Sequence, residues 1–352
     1  MERVRLTGLD SFEYEHPLDV KLLNALRKTP LFSKILEVIG TPFNAVKRIS
    51  QLGSNIRVTE RQLPKLHRMM CEACEILDVD MPLFYVDATQ EINAFASSPD
   101  NPVVTLYSGL IDHYEDDELM FIIGHELSHI KSKHLIYHQM GELIAKGTLN
   151  LALNAIPGFG VVALPAQIAL QYAYFEWSRA SEFTCDRAGY LACQDFDASC
   201  RALMKLGGST QKYNNVLSLD EFKQQAREFQ DIDANALGKA AKILLSFELT
   251  HPWTVLRVKQ LMEFHENGEY LDVLNRKTKA KRLNESIAGI MPDTKDGVLR
   301  CGKCGNELNK DALFCRECGS KVETAHCKKC GAIMKPDAVF CSICGTKTSD
   351  TV

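Results

Sequence analysis

A seven-residue segment in the first half of the chain carries the side chains best suited to chemistry. Residues 124–130 read Gly-His-Glu-Leu-Ser-His-Ile, so His125, Glu126 and His129 have the spacing His-Glu-x-x-His. On a helix, positions i and i+4 share one face, so both imidazoles can reach one zinc ion. Zinc lowers the pKa of water to about 7, and Glu126 stands where it can take the proton. The pattern predicts metal-assisted hydrolysis, with a chance match on an ordinary helix as the alternative.

The sequence around this motif predicts a buried helix. Four consecutive acidic residues, 115–118, stand at the expected helix start, where the helix dipole favours negative charge. Five apolar residues, 119–123, separate them from the motif. We therefore expect the motif on a helix in the core of the protein.

A second pair of polar residues has the same helical spacing. Glu182 and Asp186 are i and i+4 within the segment Ser178–Arg187. One carboxylate of such a pair can bind a metal while the other accepts the N–H of a ligand imidazole and orients it. A solvated acidic helix face would show the same spacing, so the spacing alone leaves both interpretations open.

Three motifs, taken together, resemble those of a known enzyme family. They are the His-Glu-x-x-His segment, the pattern Ser-Arg-x-x-Glu-x-x-x-Asp from Ser178, and His251-Pro252 followed by Arg257. Their order and spacing resemble the HtpX/CAAX-prenyl-protease family of zinc metallopeptidases, of the gluzincin type. The resemblance covers roughly residues 55–265.

The resemblance implies a role for each motif residue. Glu126 is implied as the general base, and Asp186 as the residue that orients a ligand imidazole. His251 and Arg257 are implied as catalytic residues that lie near the reacting carbonyl or support the site. The implied zinc ligands are His125, His129 and Glu182.

A short segment before the zinc motif also resembles the family and is expected to bind substrate. It comprises Asn93, Ala94 and Phe95, and residues 101–107, rich in β-branched side chains, follow it and predict a strand. The implied structure is a small sheet whose edge strand lies beside the zinc, where unpaired N–H and C=O groups can hold an extended peptide. A plain hairpin without this role is the alternative.

Eight of the thirteen cysteines fall in the last fifty-two residues and form two copies of Cys-x2-Cys-x10-Cys-x2-Cys. A glycine follows the second cysteine of each pair, and glycine best tolerates the positive φ of a turn that wraps thiolates around a metal. The repeat resembles a tandem zinc ribbon. Its predicted metal ligands are Cys301, Cys304, Cys315, Cys318, Cys327, Cys330, Cys341 and Cys344.

A disulfide framework is the competing interpretation of these cysteines. The first residues, Met1–Arg5, are mixed and polar, so we expect no signal peptide and a cytoplasmic chain whose thiols stay reduced. The tail, residues 297–352, has a formal charge of +3. Eight thiolates and two zinc ions lower that charge to about −1, which argues against nucleic acid and favours a protein partner.

Residues 147–175 carry no charge, which raises the question of a membrane span. Because His129 and Glu182 must bind the same zinc, the chain between them would have to cross twice, and two crossings need about forty residues. We therefore expect no transmembrane span but a helical hairpin packed over the active site, with a shallow contact to a membrane surface as an alternative. His134 and His138 are expected on the opposite helix face, as structural or solvated residues.

The fold predicted from these patterns is mainly α with a small β-sheet. Helices are expected over Leu18–Leu26 and Leu31–Ile39, from a capping box at Thr59–Gln62, and up to a stop at Gly207-Gly208. The remaining cysteines, including the pair Cys71 and Cys74, are expected to be plain helix residues. The predicted domains are an N-terminal helical segment (1–55), a metallopeptidase domain (56–290), a linker (291–299) and two zinc ribbons (300–322 and 326–348).

These patterns predict a zinc-dependent endopeptidase that hydrolyses protein substrates in quality control or processing. It would hold one catalytic and two structural zinc ions. The alternative is a zinc-ribbon interaction protein whose peptidase domain binds peptides in a chaperone-like way. An intact Glu126 argues against that alternative, because a pure binder needs no general base.

Overall fold

A computed structural model describes residues 2–29, 32, 53–138, 164–208, 210–231 and 252–278, together with two short strands near the C-terminus. The chain divides into two compact units, Met1–Asn275 and Arg276–Val352. The first unit is mainly helical around one small sheet, which confirms the predicted fold class. No helix in the described ranges has the length and apolar character that crossing a membrane requires.

Nine α-helices are described in the first unit. They are α1 (Pro17–Arg27), α2 (Pro64–Leu77), α3 (Ser108–His113), α4 (Asp116–Lys131), α5 (Leu164–Cys193), α6 (Phe196–Leu206), α7 (Leu219–Asp231), α8 (Thr254–Glu266) and α9 (Glu269–Leu274).

A four-stranded mixed sheet is described in the first unit; its first strand precedes α2 in the sequence, and the other three lie between α2 and α3. Its strands are β1 (Ile56–Arg57), β2 (Leu83–Asp87), β3 (Ala94–Ser97) and β4 (Val103–Tyr107), in the order β1-β2-β4-β3. The pair β2 and β4 is parallel, whereas β3 runs antiparallel to β4 and forms an edge of the sheet. The predicted strand at 101–107 and the predicted edge strand are both confirmed.

Helix α4 carries the His-Glu-x-x-His motif, and its start follows the sequence closely. Glu115 is the N-cap, and its side chain and that of Glu118 form a reciprocal capping box. Three acidic residues fill the first turn, as expected from the helix dipole. Glu118 is itself buried and pairs with Lys205 of α6 at 2.6 Å, which fixes the start of α4 in the core.

Two glycines let α4 and α5 approach each other closely. A Cβ atom on Gly124 of α4 would lie 2.4 Å from the Cβ of Ala192 on α5. A Cβ atom on Gly189 of α5 would lie 2.7 Å from the backbone oxygen of Phe121 on α4. Backbone-to-backbone contact of this kind sets the separation of the two helices, and therefore the distance between the side chains that they present to each other.

Replacing Gly189 with Ala is expected to destabilise the protein by about 1–3 kcal/mol, because the added methyl overpacks the contact between the two helices. Urea unfolding measures the loss. The matched control is Gly53→Ala, since nothing lies within 4 Å of a Cβ atom at Gly53. Equal stability of the two variants would contradict this account of the helix contact.

The structure corrects one helix boundary and confirms two others. Helix α2 begins at Pro64 after Leu63, which has a φ of 59°, and not from a capping box at Thr59. Thr59 and Gln62 instead pair with each other in a short turn. Helix α1 contains the predicted segment Leu18–Leu26, and α6 ends with Gly207 as its C-cap, as expected.

Several expectations fall outside the described residues. They concern the helix predicted over Leu31–Ile39, the first part of the apolar segment up to residue 163, His251, and all eight ribbon cysteines. The last part of the apolar segment, from Leu164, belongs to α5. In the second unit, β5 (Ala325–His326) pairs antiparallel with β6 (Ile333–Met334), and these strands bracket the Cys327-x2-Cys330 motif in the sequence.

Candidate metal centre

Helices α4 and α5 bring three potential metal ligands together. The Nε2 atom of His125 lies 3.5 Å from one carboxylate oxygen of Glu182, and the Nε2 atom of His129 lies 3.5 Å from the other. All three side chains are buried. His125 and His129 come from one face of α4, as their spacing predicts, and Glu182 comes from the facing side of α5.

The spacing and chemistry of these donors fit a zinc ion. In a tetrahedral site with zinc–ligand distances near 2.1 Å, neighbouring donor atoms stand about 3.4 Å apart. Each imidazole nitrogen lies 3.5 Å from a different oxygen of Glu182, which is close to that value. Two imidazoles and one carboxylate also leave a fourth position open, as a catalytic zinc site requires.

A buried ion pair orients the first imidazole. Asp186, one turn after Glu182 on α5, lies 3.0 Å from the Nδ1 atom of His125. Arg257 of α8 donates to both oxygens of Asp186, at 2.6 and 2.8 Å. A proton on Nδ1 leaves Nε2 free to bind a metal, so Asp186 sets the tautomer that a zinc ligand needs.

The charges around the ion pair keep it ionised. Burial favours the neutral acid, but the charge and hydrogen bonds of Arg257 outweigh burial, and the pKa of Asp186 is lowered. Burial likewise opposes the charge on Arg257, yet Asp186 and Glu182 raise its pKa. Arg257 also lies 3.5 Å from Glu182, so one cation holds both carboxylates in place.

The two candidate imidazole ligands have opposite pKa shifts. Burial lowers the pKa of His125, but hydrogen bonds to Asp186 and Glu182 outweigh it and raise that pKa to about 9. Burial lowers the pKa of His129 to about 4, and the hydrogen bond to Glu182 does not offset it. In the metal-free protein near pH 7, His125 is therefore protonated and His129 is neutral.

Zinc uptake at these residues is expected to release about one proton per ion near pH 7, because only His125 must lose one. Zinc affinity should accordingly fall about tenfold per pH unit as the pH drops from 9 towards 4. Calorimetric titration in buffers of different ionisation enthalpy measures the proton count, starting from protein whose ribbon sites are already filled. A pH-independent affinity between pH 6 and 8 would contradict the assigned charge states.

Cys185 is a metal-ligand candidate that the sequence did not reveal. Its sulfur and one nitrogen each from His125 and His129 lie within 4.8 Å of one another. Burial and the charge of Glu182 raise the pKa of this thiol well above its usual value. It is therefore a neutral S–H group at pH 7, whereas Glu182 offers oxygen atoms at 3.5 Å from both imidazoles.

A cavity of about 310 Å³ is lined by two of the three potential ligands, His125 and Glu182. Glu126 lines it beside His125 and Glu182, and Asn93 and Ala94, just before and at the start of edge strand β3, form part of its wall. Five further apolar side chains line the cavity, together with Thr254 and Arg257; the apolar ones are Ile92, Leu110, Ile122, Leu206 and Pro252. Phe95 points away from this wall and packs edge-to-face against Tyr107 of β4.

The expectation that His134 and His138 lie on the opposite helix face is wrong. Helix α4 ends at Lys131, and Lys133 has a φ of 57°, so the chain turns back. As a result, the Nδ1 atom of His134 lies 3.3 Å from the Nδ1 atom of His129. The ring of His138 lies 5.1 Å from that of His129, centre to centre.

Two profiles of known sequence families match this chain. The sequence profile described as Peptidase family M48 matches residues 60–265, which is more than half of the chain. The chain belongs to peptidase family M48. A second profile, described as Double zinc ribbon, matches residues 301–345. The protein is therefore a zinc metalloprotease with a zinc ribbon region, as the sequence predicted.

Curated relatives agree with this assignment. The chain is 30% identical over 282 residues to "Plastoglobule-localized metallopeptidase 48, chloroplastic" of Arabidopsis thaliana, and the alignment covers 79% of each chain. It is 28% identical over 231 residues to a "Protease HtpX homolog" of Polynucleobacter necessarius, covering 61% of this chain and 78% of that protein. A "Protease HtpX homolog" of Burkholderia thailandensis is 26% identical over 242 residues, covering 64% of this M48 chain and 82% of its own.

Proposed function

We propose that this protein is a zinc-dependent endopeptidase in which His125, His129 and Glu182 bind the catalytic zinc. The observation that carries the proposal is the position of Glu126. It lines the same cavity as His125 and Glu182, on the helix that presents both imidazoles. A carboxylate in that position can act on a substrate held in the cavity.

In the proposed reaction, a zinc ion supplies polarisation of the peptide carbonyl and acidity of the attacking water. Glu126 accepts the proton of that water as it attacks the carbonyl carbon, and then delivers the proton to the leaving amine. Asp186 keeps a proton on Nδ1 of His125, and Arg257 holds Asp186 and Glu182. Arg257 thus acts by positioning other groups, while His251 remains a predicted contact of the reacting carbonyl.

The edge strand β3 is the proposed binding surface for the substrate backbone. One side of β3 is hydrogen-bonded to β4, and the other side is an edge of the sheet. Unpaired main-chain groups at an edge bind an extended peptide by adding it as a further strand. Asn93 and Ala94 would contact the peptide from the cavity wall. The backbone of Phe95 pairs with Thr105 of β4, so its contact with substrate stays a prediction from the sequence.

The apolar wall of the cavity favours an apolar substrate residue beside the scissile bond. Ile122 and Leu206 line the cavity together with the start of the edge strand, and the charges of Arg257 and Glu182 are already engaged with each other. An acidic side chain in this cavity would lose its hydration and meet the carboxylate of Glu126. Substrates would therefore be extended chains with exposed apolar residues, which suits protein quality control.

Cleavage of casein and of short peptides tests the proposal. Casein should be cut internally, cleavage should stop with a chelator and return with added zinc, and a peptide with Leu beside the scissile bond should be cut faster than one with Asp. If the protein binds these peptides but cuts none with its zinc sites filled, it is a peptide-binding module instead. Release of single terminal residues would identify an exopeptidase.

The proposed metal content is three zinc ions per chain, one catalytic and two in the ribbons. This number follows from one site with two histidines and a glutamate, and from two sets of four cysteines. Metal analysis of the purified, reduced protein should find about three zinc ions, and deletion of residues 297–352 should remove two. One zinc ion or fewer in the full chain would contradict the ribbon assignment.

The proposed organisation places the metallopeptidase domain at 56–290 and the ribbons at 300–322 and 326–348. The near-neutral charge of the tail favours binding to a protein partner or substrate over nucleic acid. A cytoplasmic location is proposed from the sequence, and a membrane-surface contact of residues 147–175 is the alternative. Fractionation of cells without detergent distinguishes the two, because a free protein stays in the supernatant, whereas a surface-bound protein sediments with the membranes and is released by carbonate.

A further inference from the structure

A chain of buried polar groups runs from the second imidazole ligand candidate to the N-terminal helix. The Nδ1 atoms of His129 and His134 lie 3.3 Å apart. The Nε2 atom of His134 lies 3.2 Å from one oxygen of Asp19, on helix α1. All three residues are buried, and Asp19 is only 2% exposed.

Asp19 is held firmly in this position. Its first carboxylate oxygen accepts a hydrogen bond from the indole N–H of Trp177 at 2.8 Å. The second oxygen accepts one from the hydroxyl of Thr184 at 2.6 Å, and Thr184 in turn accepts the backbone N–H of His16 at 3.0 Å. Trp177 and Thr184 both belong to α5, the helix that carries Glu182. A carboxylate with three donors around it stays ionised in the core.

Only one arrangement of protons allows every hydrogen bond between His129, His134 and Asp19 to form. If His129 is to bind a metal through Nε2, its Nδ1 atom carries the proton and donates to Nδ1 of His134. His134 must then carry its own proton on Nε2, where it donates to the ionised Asp19. The sulfur of Cys185 lies 3.6 Å from the same Nδ1 atom of His134 and shares it as an S–H donor.

We propose that Asp19, acting through His134, is a positioning residue that fixes the metal-binding tautomer and the ring orientation of His129. This inference rests on the proposed function, because it assumes that His129 binds the catalytic zinc. Each imidazole ligand then has its own outer carboxylate: Asp186 supports His125 directly, and Asp19 supports His129 through one intervening histidine. Helix α1 thereby becomes part of the metal centre.

The substitution Asp19→Asn tests this role with little change in shape. Asn keeps an oxygen that can accept from Trp177, but its amide group would donate towards Nε2 of His134. His134 would have to carry its proton on Nδ1, which would then face the N–H of His129 at 3.3 Å. Two opposed donors would turn the ring of His129 away from the metal. The expected result is an affinity for the catalytic zinc that is lower by about 10- to 100-fold.

The matched control is Trp177→Phe, which removes a hydrogen bond to the other oxygen of Asp19 and keeps the contact between Asp19 and His134. Phe also keeps an aromatic ring against His134, whose ring lies 5.8 Å from that of Trp177, centre to centre. We expect this variant to unfold more readily than the wild type and to hold its zinc equally well. Circular dichroism and thermal unfolding establish that each variant is folded at the temperature of the zinc measurement.

Zinc transfer from the full chain to a chromogenic chelator gives the readout without any activity assay. The release phase that is missing in Glu182→Ala is assigned to the catalytic zinc ion. Faster release of that phase in Asp19→Asn, with a wild-type rate in Trp177→Phe, supports the proposal. A wild-type rate in Asp19→Asn, or equal acceleration in both variants, overturns it. If Glu182→Ala lacks no phase, the proposed zinc ligands themselves are wrong, which is a separate failure.

Discussion

Glu126→Gln should lower peptide hydrolysis by about 10²- to 10⁴-fold, which is the contribution of a positioned general base, while the zinc content stays at the wild-type value. Gln has nearly the same size as Glu and fits the same place in the cavity, but it cannot take a proton from water. Initial rates of peptide cleavage and metal analysis on the same sample measure the two quantities together.

Glu266→Gln is the matched control for this variant. Glu266 is exposed at the end of α8 and does not line the cavity, so this substitution removes one negative charge away from the site. It should cleave peptides at the wild-type rate. A Glu126→Gln protein that retains a tenth or more of the wild-type activity would mean that another group takes the proton.

Glu182→Ala should lose the catalytic zinc, whereas Cys185→Ser should keep both zinc and activity. The oxygens of Glu182 stand at tetrahedral spacing from both imidazoles, and the thiol of Cys185 is held neutral by burial. Loss of a direct ligand should weaken zinc binding by more than the roughly 10- to 100-fold effect of losing an outer partner. Zinc content after dialysis against a weak chelator measures the difference.

The two substitutions control each other, since the residues are neighbours on one helix and both are buried. Zinc lost from Cys185→Ser but retained by Glu182→Ala would identify sulfur as the third ligand. Zinc lost from both, with both proteins folded, would show that the packing of α5 matters more than either donor atom.

Much of the site could be predicted because its residues occur in local, regularly spaced patterns. The spacing of His125 and His129 depends only on the helical repeat, and the acidic residues at Glu115–Glu118 mark the helix start. The strand within residues 101–107 could be predicted because this segment is rich in β-branched side chains, whereas the edge strand beside the site was predicted from the family resemblance. Such signals need no knowledge of distant parts of the chain.

The contacts that sequence reasoning missed are either non-local or depend on a single backbone conformation. Asp19 and His134 are 115 positions apart, and nothing in either local sequence indicates that they meet. The position of His134 depends on where α4 ends. The chain turns at Lys133, which has a positive φ, and a lysine in the sequence does not indicate such a turn. Leu63, also at a positive φ, shifted the start of α2 for the same reason.

The close contact of α4 and α5 at Gly124 and Gly189 has a consequence for metal exchange. Because backbone packing sets the separation of these helices, we expect the fold itself to hold the donor atoms near ligand spacing. Most of the entropy cost of assembling the site is therefore met when the protein folds. An enzyme whose catalytic zinc has been removed by a chelator should regain its activity as fast as added zinc can enter the site, without a refolding delay. Zinc ribbons fold as they bind their metal, so their recovery after zinc removal would include a refolding step.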